Sequence, residues 1–408
     1  MTESTTPATG PFAFDPDDLG YTRNPYPTYS WLRSHPPYLW AKHDAWIFSR
    51  YDDVVAIMRD YRLFSSNWAD WEHAARRTSG GQVHDYDRLM ASGLFALPHD
   101  DHVRLRKLVS PAFTPRAIEG MRHKVQQIVD DALDHIEVQD GRFDVAVLAE
   151  HIPLRAISAV LGIPRTREPE FRRFGVSVID ASDPRLTPAA RLAVLEPFTP
   201  GLELLRAVID ERMRQPADDL LSMLVAVEEA GDRLSHDELL SLVMALVAAG
   251  SETTVHLICF AVYTLLRHPA ELARLRADPT LVRGAIEEVL RFDSFGKNGV
   301  PRFARDDVEI GGVRVRKGQM IYPLLPAALR DPDAFPRADV FDIGRDQTAN
   351  VTFGTGPHHC IGAALARLEG QVAVTALFAR FPSLRLVGDP VFAPHSFLRK
   401  MQSLPVAV

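Results

Sequence analysis

Hydrophobic residues recur every three to four positions through most of this 408-residue chain, which is the period of an α-helix buried on one side. The period predicts helices at 52–59, 117–136, 202–213, 237–267, 269–277, 281–292 and 361–381. Alternating residues predict a strand at Trp46–Tyr51 and a hairpin at Val308–Val315, in which Gly311 and Gly312 form the turn. We therefore predict a mainly α fold with small β-sheets.

The segment 237–267 is the longest predicted helix, about 50 Å at 1.5 Å per residue. Ser235 and Glu238 have the spacing of a capping box at its start. The segment is apolar and long enough to span a bilayer, but Glu252 lies near its middle, where a carboxylate in a membrane is costly. We interpret the segment as a buried central helix across which a large cofactor lies.

Composition and charge indicate a soluble, globular protein, with 46% hydrophobic and 24% charged residues. The net charge of −7 does not suggest a nucleic-acid partner. The only two cysteines, Cys259 and Cys360, exclude a disulfide framework and fit a reducing cytoplasm. The N-terminus has neither the basic start nor the apolar core of a signal peptide or membrane anchor. We predict a disordered tail over residues 1–20 and a single domain over 21–408.

Cys360 lies in a glycine-rich run, Phe353-Gly354-Thr355-Gly356-Pro357-His358-His359-Cys360-Ile361-Gly362, directly before a predicted helix. Glycines let the backbone approach a bulky, flat group, and the start of a helix favours a thiolate. A thiolate in this setting suits an axial ligand to haem iron. The cysteine taken alone leaves open a buried residue with no chemical role.

A second run, Ala249-Gly250-Ser251-Glu252-Thr253-Thr254, places an acid and hydroxyls in the middle of the apolar helix. Such groups are unfavourable in a core unless they have partners. One interpretation is a helix kink or a satisfied buried pair, because Ser and Thr hydroxyls can bond the carbonyl one turn back. The functional interpretation is proton delivery to dioxygen, whose cleavage consumes two protons.

Both runs resemble signatures of the cytochrome P-450 family, and the resemblance extends from Asn24 to Val406. The cysteine run matches Phe-x-x-Gly-x-His/Arg-x-Cys-x-Gly, and the helical run matches the oxygen-activation motif Ala-Gly-x-Asp/Glu-Thr-Thr/Ser. The resemblance implies a single-domain P-450 fold with haem b between the long central helix and the helix after the cysteine.

The same resemblance implies roles for individual residues. Cys360 is the iron ligand, Glu252 and Thr253 relay protons, and Gly250 leaves space for oxygen. Other residues lie along the haem: Ala249, Phe353, Gly354, Gly356, His358 and Gly362. His358 also binds a haem propionate, together with His102, Arg106 and Arg302, each of which taken alone reads as a solvated basic residue.

Glu288 and Arg291, three apart on one helix, resemble the family's Glu-x-x-Arg pair. By that resemblance they are expected to form a structural triad with Arg345. Without the resemblance they would be read as a surface ion pair.

The substrate pocket is expected to include Phe95, Ala245, Ala249, Phe295, Lys297, Asn298 and Phe397. The Lys297 side chain is expected to point to solvent, with a contact to a substrate carboxylate or phosphate as the alternative. The glycines beside Lys297 leave room for a bulky substrate, and we expect a natural product such as a polyketide, peptide or terpenoid.

The chain has no flavin or iron–sulfur motif, so electrons from NAD(P)H are expected to arrive through an external reductase and a ferredoxin. By the resemblance, five basic residues flank the cysteine side and could dock an acidic ferredoxin: Arg104, Lys107, Arg116, His359 and Arg367. No membrane partner is expected, and the predicted location is a bacterial cytoplasm.

The predicted activity is that of a haem-thiolate monooxygenase, which hydroxylates or epoxidises a medium or large hydrophobic substrate. Oxidative coupling or desaturation stays open, because the same haem chemistry serves those reactions. A peroxide-driven fatty-acid hydroxylase is disfavoured by Glu252-Thr253. A haem-containing gas sensor or carrier is disfavoured because a proton relay would have no use there.

Overall fold

The computed structural model describes residues 14–74, 84–97, 99–183, 185–226, 228–229, 232–394, 396 and 398–408. The helices are α1 (Leu19–Arg23), α2 (Tyr26–Arg33), α3 (Tyr51–Arg59), α4 (Asp85–Ala91), α5 (His99–Val109), α6 (Pro115–Glu119), α7 (Arg122–Asp134), α8 (Val145–Glu150), α9 (Ile152–Leu161), α10 (Glu168–Asp180), α11 (Pro188–Val194), α12 (Phe198–Arg214), α13 (Leu220–Ala226), α14 (His236–Arg267), α15 (Pro269–Ala277), α16 (Val282–Phe292), α17 (Leu325–Ala328) and α18 (Ala363–Arg380). The strands are β1 (Tyr38–Trp40), β2 (Ala45–Phe48), β3 (Phe64–Ser65), β4 (Arg142–Asp144), β5 (Glu228–Glu229), β6 (Asp232–Arg233), β7 (Arg302–Ala304), β8 (Val308–Ile310), β9 (Val313–Val315), β10 (Met320–Pro323), β11 (Arg385–Leu386), β12 (Val391–Phe392), β13 (Met401–Ser403) and β14 (Pro405–Ala407).

The chain folds into two compact units. The first unit comprises Met1–Arg76, Tyr263–Cys360 and Pro390–Gln402, and the second comprises Arg77–Val262, Ile361–Asp389 and Ser403–Val408. The mainly α architecture with small sheets, predicted from the sequence, is confirmed.

The first unit contains a five-stranded sheet of order β1-β2-β10-β7-β3. β2 and β10 pair in parallel, and the other neighbouring strands of this sheet pair antiparallel. All four residues of β2 and of β10 are buried, because residues of these strands alternate between two apolar clusters. Arg302, a predicted propionate ligand, begins β7 and is paired with Ile321 of the central strand β10.

The second unit is built from packed helices and a small sheet of order β11-β14-β4. α18, the helix after the cysteine run, packs against α6, α7 and α9, and α10 packs against α12. Small residues allow the close approach: a Cβ added at Gly201 on α12 would lie 2.5 Å from Phe174 on α10. This packing fixes α18 against α6, α7 and α9.

The central helix α14 begins as predicted. Ser235 N donates to Glu238 Oε2 at 2.8 Å, and Glu238 N donates to Ser235 Oγ at 3.2 Å, which is the reciprocal bonding of a capping box. α14 is apolar and long enough to cross a membrane, but 78% of its most apolar 18-residue window is buried, as in the core helix of a globular protein.

Several predicted boundaries need correction. The helix predicted at 117–136 is two helices, α6 and α7, because the chain turns at Gly120 and Met121. The strand predicted at Trp46–Tyr51 ends at Phe48, and Tyr51 already belongs to α3. The predicted hairpin is confirmed, with Val308 paired to Val315. Part of the predicted tail is folded: Phe14 is buried against Tyr21 and Trp40, and residues 1–13 lie outside the described residues.

Candidate active site

The cysteine run forms a tight loop in the first unit. Cys360 N donates to Phe353 O at 2.8 Å, and Gly354 N donates to Val351 O at 2.7 Å. Gly354 and Gly356 have φ of 79° and 74°, which is left-handed backbone that favours glycine. A Cβ at Gly356 would also lie 2.8 Å from Met58 O, so the loop can rest on α3 only with glycine there. The Cys360 side chain is exposed and is not part of a disulfide, so its sulfur is accessible to a ligand.

His358, a predicted propionate ligand, lies in the same loop. Its Nε2 is 3.2 Å from Ser66 Oγ, in a contact that orients the imidazole. Ser66 is 292 positions away in the sequence, so no local pattern indicates this contact. A neighbouring bond from Arg59 Nε to Thr355 Oγ1 at 3.1 Å ties the loop to the end of α3.

Arg302 provides a test of whether the first unit suits an anionic cofactor. The residue is 5% exposed, and its Nη1 donates to the carbonyls of Val300 at 3.4 Å and Pro301 at 3.0 Å. Within the described residues it forms no ion pair with an acid, and burial lowers the pKa of its guanidinium to about 10. A buried cation without a carboxylate is unfavourable unless an anionic group approaches it. The site therefore fits a group that carries carboxylates, as haem does.

Glu288, Arg291 and Arg345 meet in the first unit. Arg291, fully buried on α16, donates to both oxygens of Glu288 at 2.8 Å. Arg345 Nε donates to Glu288 Oε1 at 3.1 Å, and Gln347 Nε2 donates to Oε2 at 3.0 Å. The remaining guanidinium protons bond backbone carbonyls of the segment 329–340. One carboxylate therefore ties α16 to the chain that leads into the cysteine run.

In the second unit, α14 exposes one narrow stripe of an otherwise buried helix. Ala245, Ala249, Gly250 and Thr253 are partly exposed, whereas residues 246–248, 251–252 and 254–262 are buried. Positions four apart lie on one helical face. The stripe is therefore the part of this helix that is open to a bound molecule, and it contains predicted pocket residues and one of the predicted catalytic residues.

The polar residues of α14 have local partners. Thr253 Oγ1 donates to Ala249 O at 2.6 Å, and Ser251 Oγ donates to Val247 O at 2.7 Å, so both hydroxyls bond one turn back. A Cβ at Gly250 would lie 3.1 Å from Ile157 Cγ1 on α9. Packing against α9 is thus sufficient reason for the glycine, and a space for oxygen beside it stays a prediction.

Glu252 is 8% exposed and lies beside a histidine to which the sequence analysis gave no role. His256 Nε2 is 3.3 Å from Glu252 Oε1, and His256 is 1% exposed. The signal that could have found the pair is an acid and a histidine four apart in an apolar helix.

His102 and Arg106 lie four apart on α5 in the second unit. His102 is 2% exposed. Burial and, to a lesser extent, the positive charges of Arg106 and His99 together lower the pKa of its imidazole to about 4. The spacing of four places the two residues on one face of α5.

The predicted pocket residues of the first unit include one correction. Lys297 is 1% exposed, so the expectation that it points to solvent is wrong. Its segment is held inward by three contacts: Tyr21 Oη donates to Lys297 O, Gly296 pairs with Leu398, and Arg399 N donates to Phe295 O. Asn298 is 2% exposed, and its Oδ1 has no hydrogen-bond partner in the described part of the chain. Phe95, in the second unit, is 46% exposed, and Phe397 lies outside the described residues.

Comparison with known proteins identifies the family of this chain. The family model described as Cytochrome P450 matches residues 202–399. Epothilone C/D epoxidase of Sorangium cellulosum is 44% identical over 97% of this chain and 95% of its own length. 6-Deoxyerythronolide B hydroxylase of Saccharopolyspora erythraea is 36% identical over 93% of this chain and 95% of its own. The structure of epothilone B-bound cytochrome P450epoK superposes with a TM-score of 0.90 at 42% identity, covering 97% of this chain and 99% of that one.

Proposed function

The chain belongs to the cytochrome P450 family and is a monooxygenase of that family, and we propose that it oxidises a polyketide. The reaction is the insertion of one oxygen atom from dioxygen, as a hydroxylation or an epoxidation. The observation that carries the proposal is the accessible stripe of α14, where Ala245, Ala249 and Thr253 present small apolar groups and one hydroxyl beside the Glu252 carboxylate.

Haem b, when bound, supplies iron at which dioxygen is activated. We assign its thiolate ligand to Cys360, and its propionates to His358, Arg302, His102 and Arg106. Arg302 supports this assignment because it is a buried cation whose described partners are neutral carbonyls. The predicted single domain over 21–408 is part of the same proposal.

Glu252 and Thr253 are assigned the proton delivery. A carboxyl group can take up and release a proton, and a hydroxyl can donate one proton while it accepts another. Thr253 Oγ1 presently donates to Ala249 O, and the same hydroxyl keeps its lone pairs for a second donor. Thr253 is partly exposed on the open stripe, whereas Glu252 is buried. This difference in exposure supports an order in which the hydroxyl faces the bound molecule and the acid lies behind it.

Replacement of Thr253 by Val tests the assignment, because it removes the hydroxyl and keeps the shape. We expect the fraction of NAD(P)H that ends in oxidised substrate to fall by about tenfold, with the remainder released as hydrogen peroxide, while substrate binding is unchanged. Thr254→Val is the matched control, since Thr254 is the next residue and is 4% exposed. Equal coupling in both variants would contradict the assignment.

The substrate class is tested by optical titration of the ferric protein with panels of polyketides, fatty acids, peptides and terpenoids. A polyketide is expected to displace water from the iron and to shift the Soret band, whereas the other classes are not. The Asn298 acceptor favours a substrate that carries a hydroxyl or N–H donor. A Soret shift only with a fatty acid or a peptide would replace the proposed substrate.

We propose that electrons from NAD(P)H reach the haem through a reductase and a ferredoxin in the bacterial cytoplasm. Lys107 and Arg116 are exposed and suit an acidic partner. Arg104 is less suitable than predicted, because its guanidinium forms an ion pair with Glu238 on α14. Reduction by a ferredoxin is expected to slow as salt rises and screens these charges. A rate independent of ionic strength would exclude charge-guided docking.

A further inference from the structure

We propose that His256 is a positioning residue, whose Nε2–H holds the Glu252 carboxylate in the orientation needed for proton delivery. The inference rests on the proposed role of Glu252 and extends it to a buried residue outside the open stripe of α14. His256 lies one turn behind Glu252 on α14, and its Nε2 is 3.3 Å from Glu252 Oε1.

Burial makes this contact the factor that orients the imidazole. The side chains of His256 and Glu252 are 2% and 10% exposed, so neither is fully hydrated. The other ring nitrogen, Nδ1, has no hydrogen-bond partner in the described part of the chain. A buried acceptor without a partner is unfavourable. The unpartnered Nδ1 therefore destabilises the folded protein, whereas the Nε2–H bond to Glu252 is a favourable contact of the same ring.

The contact also fixes the tautomer. A carboxylate oxygen only accepts hydrogen bonds, so the nitrogen that faces it must carry the proton. When Glu252 is ionised, His256 therefore donates from Nε2. A hydrogen bond to an ionised group is about twice as strong as a neutral one, so the pair restricts Glu252 to the rotamers in which Oε1 meets Nε2.

His256 and Glu252 lie on the side of α14 that carries the open stripe. Successive helical residues are rotated by about 100°, which puts His256 about 60° from Thr253 and about 20° from Ala249 around the axis of α14. Glu252 lies on the same side of the helix, within about 60° of Ala249. His256 thus supports the acid from the buried end of the sector that carries the accessible Ala249 and Thr253.

Two amide variants, H256Q and H256N, test whether residue 256 must position the Glu252 carboxylate or need only be polar. The Nε2 of Gln corresponds to the Nε2 of His, whereas the shorter Asn places its amide near the position of Nδ1. With H256Q we expect coupling of NAD(P)H to substrate oxidation within about twofold of the unchanged protein. With H256N we expect a loss of about tenfold, since a misplaced reacting group costs orders of magnitude in rate. Cys259→Ala is the control, because Cys259 is a buried residue about one turn further along α14. Its coupling of NAD(P)H to substrate oxidation is expected to equal that of the unchanged protein.

A readout that does not depend on turnover accompanies the kinetics. The infrared stretch of carbon monoxide bound to the reduced protein responds to the polar groups around it. It is expected to shift in H256N and to stay in H256Q, while the melting temperatures of the two variants agree. Equal coupling and equal stretching frequencies in H256Q and H256N would overturn the inference. If the unchanged protein oxidises no substrate, the proposed function fails instead, so the two failures are distinguishable.

Discussion

Replacement of Glu288 by Gln is expected to destabilise the first unit more than any other single charge removal discussed here. The change keeps the shape of the side chain and removes its charge. Arg291 is fully buried and Arg345 has 8% of its side chain exposed, so neither guanidinium can recover its hydration. The structure offers them backbone carbonyls as remaining partners, which carry no compensating charge.

The expected magnitude follows from this geometry. Breaking a buried ion pair by removing one partner costs about 3–5 kcal/mol, because an uncompensated charge stays in the interior. Unfolding entropies of about 2.1 cal/mol/K per residue convert this loss into a decrease of roughly 4–6 °C in melting temperature for a chain of this length. Because the carboxylate also anchors the chain before the cysteine run, we expect the variant to purify with less haem.

The assay is thermal unfolding by circular dichroism, together with the haem content per chain. Glu309→Gln is the control, since Glu309 is exposed on β8. If Glu288→Gln melts within about 1 °C of the unchanged protein and retains its haem, the buried pair does not stabilise the site and the reasoning is refuted.

Further predictions concern three other positions. The folded pKa of His102, about 4, lies below its unfolded value of 6.5, so only the unfolded state takes up this proton as the pH falls from 6.5 to 4. Over that window, we expect the free energy of unfolding of the haem-free protein to fall by about 1–3 kcal/mol more than that of the His102→Phe variant. Parallel pH profiles of the two proteins would contradict this. Gly356→Ala is expected to lower the free energy of unfolding by about 1–3 kcal/mol, because residue 356 has a positive φ and lies close to Met58. The loss is measured by denaturant unfolding and compared with that of Gly388→Ala, since Gly388 has no positive φ. Equal losses in the two variants would contradict the prediction. Arg302→Leu is expected to weaken haem retention while raising the stability of the haem-free protein, because an unpaired buried cation is removed; loss of stability without haem would contradict this.

Much of the fold could be predicted because local signals agree with the final packing. The periodic apolar pattern, the capping box and the Gly-Gly turn indicated α14 and the hairpin β8–β9, whose residues bond mainly within their own segments. The parallel pairing of β2 with β10 joins residues about 275 positions apart, so no local pattern could indicate it. The break between α6 and α7 was missed because the apolar period continues across Gly120.

The candidate site shows the same division. Cys360 and the acid–hydroxyl pair were recognisable because short motifs carry them. The contact of His358 with Ser66 and the burial of Lys297 depend on distant segments, and the expectation for Lys297 was wrong for that reason. His256 was overlooked although its spacing from Glu252 is local, because a single histidine in an apolar helix is ordinarily a core residue.

The central claim is that Cys360 is the thiolate ligand of haem iron. The most direct measurement is the optical spectrum of the reduced, carbon monoxide-bound protein, compared among the unchanged chain, Cys360→His and Cys259→Ala. The account predicts the red-shifted Soret band of a thiolate complex in the unchanged protein and in Cys259→Ala, and its loss in Cys360→His. Persistence of that band in Cys360→His, or its absence from the haem-reconstituted unchanged protein, would contradict the account.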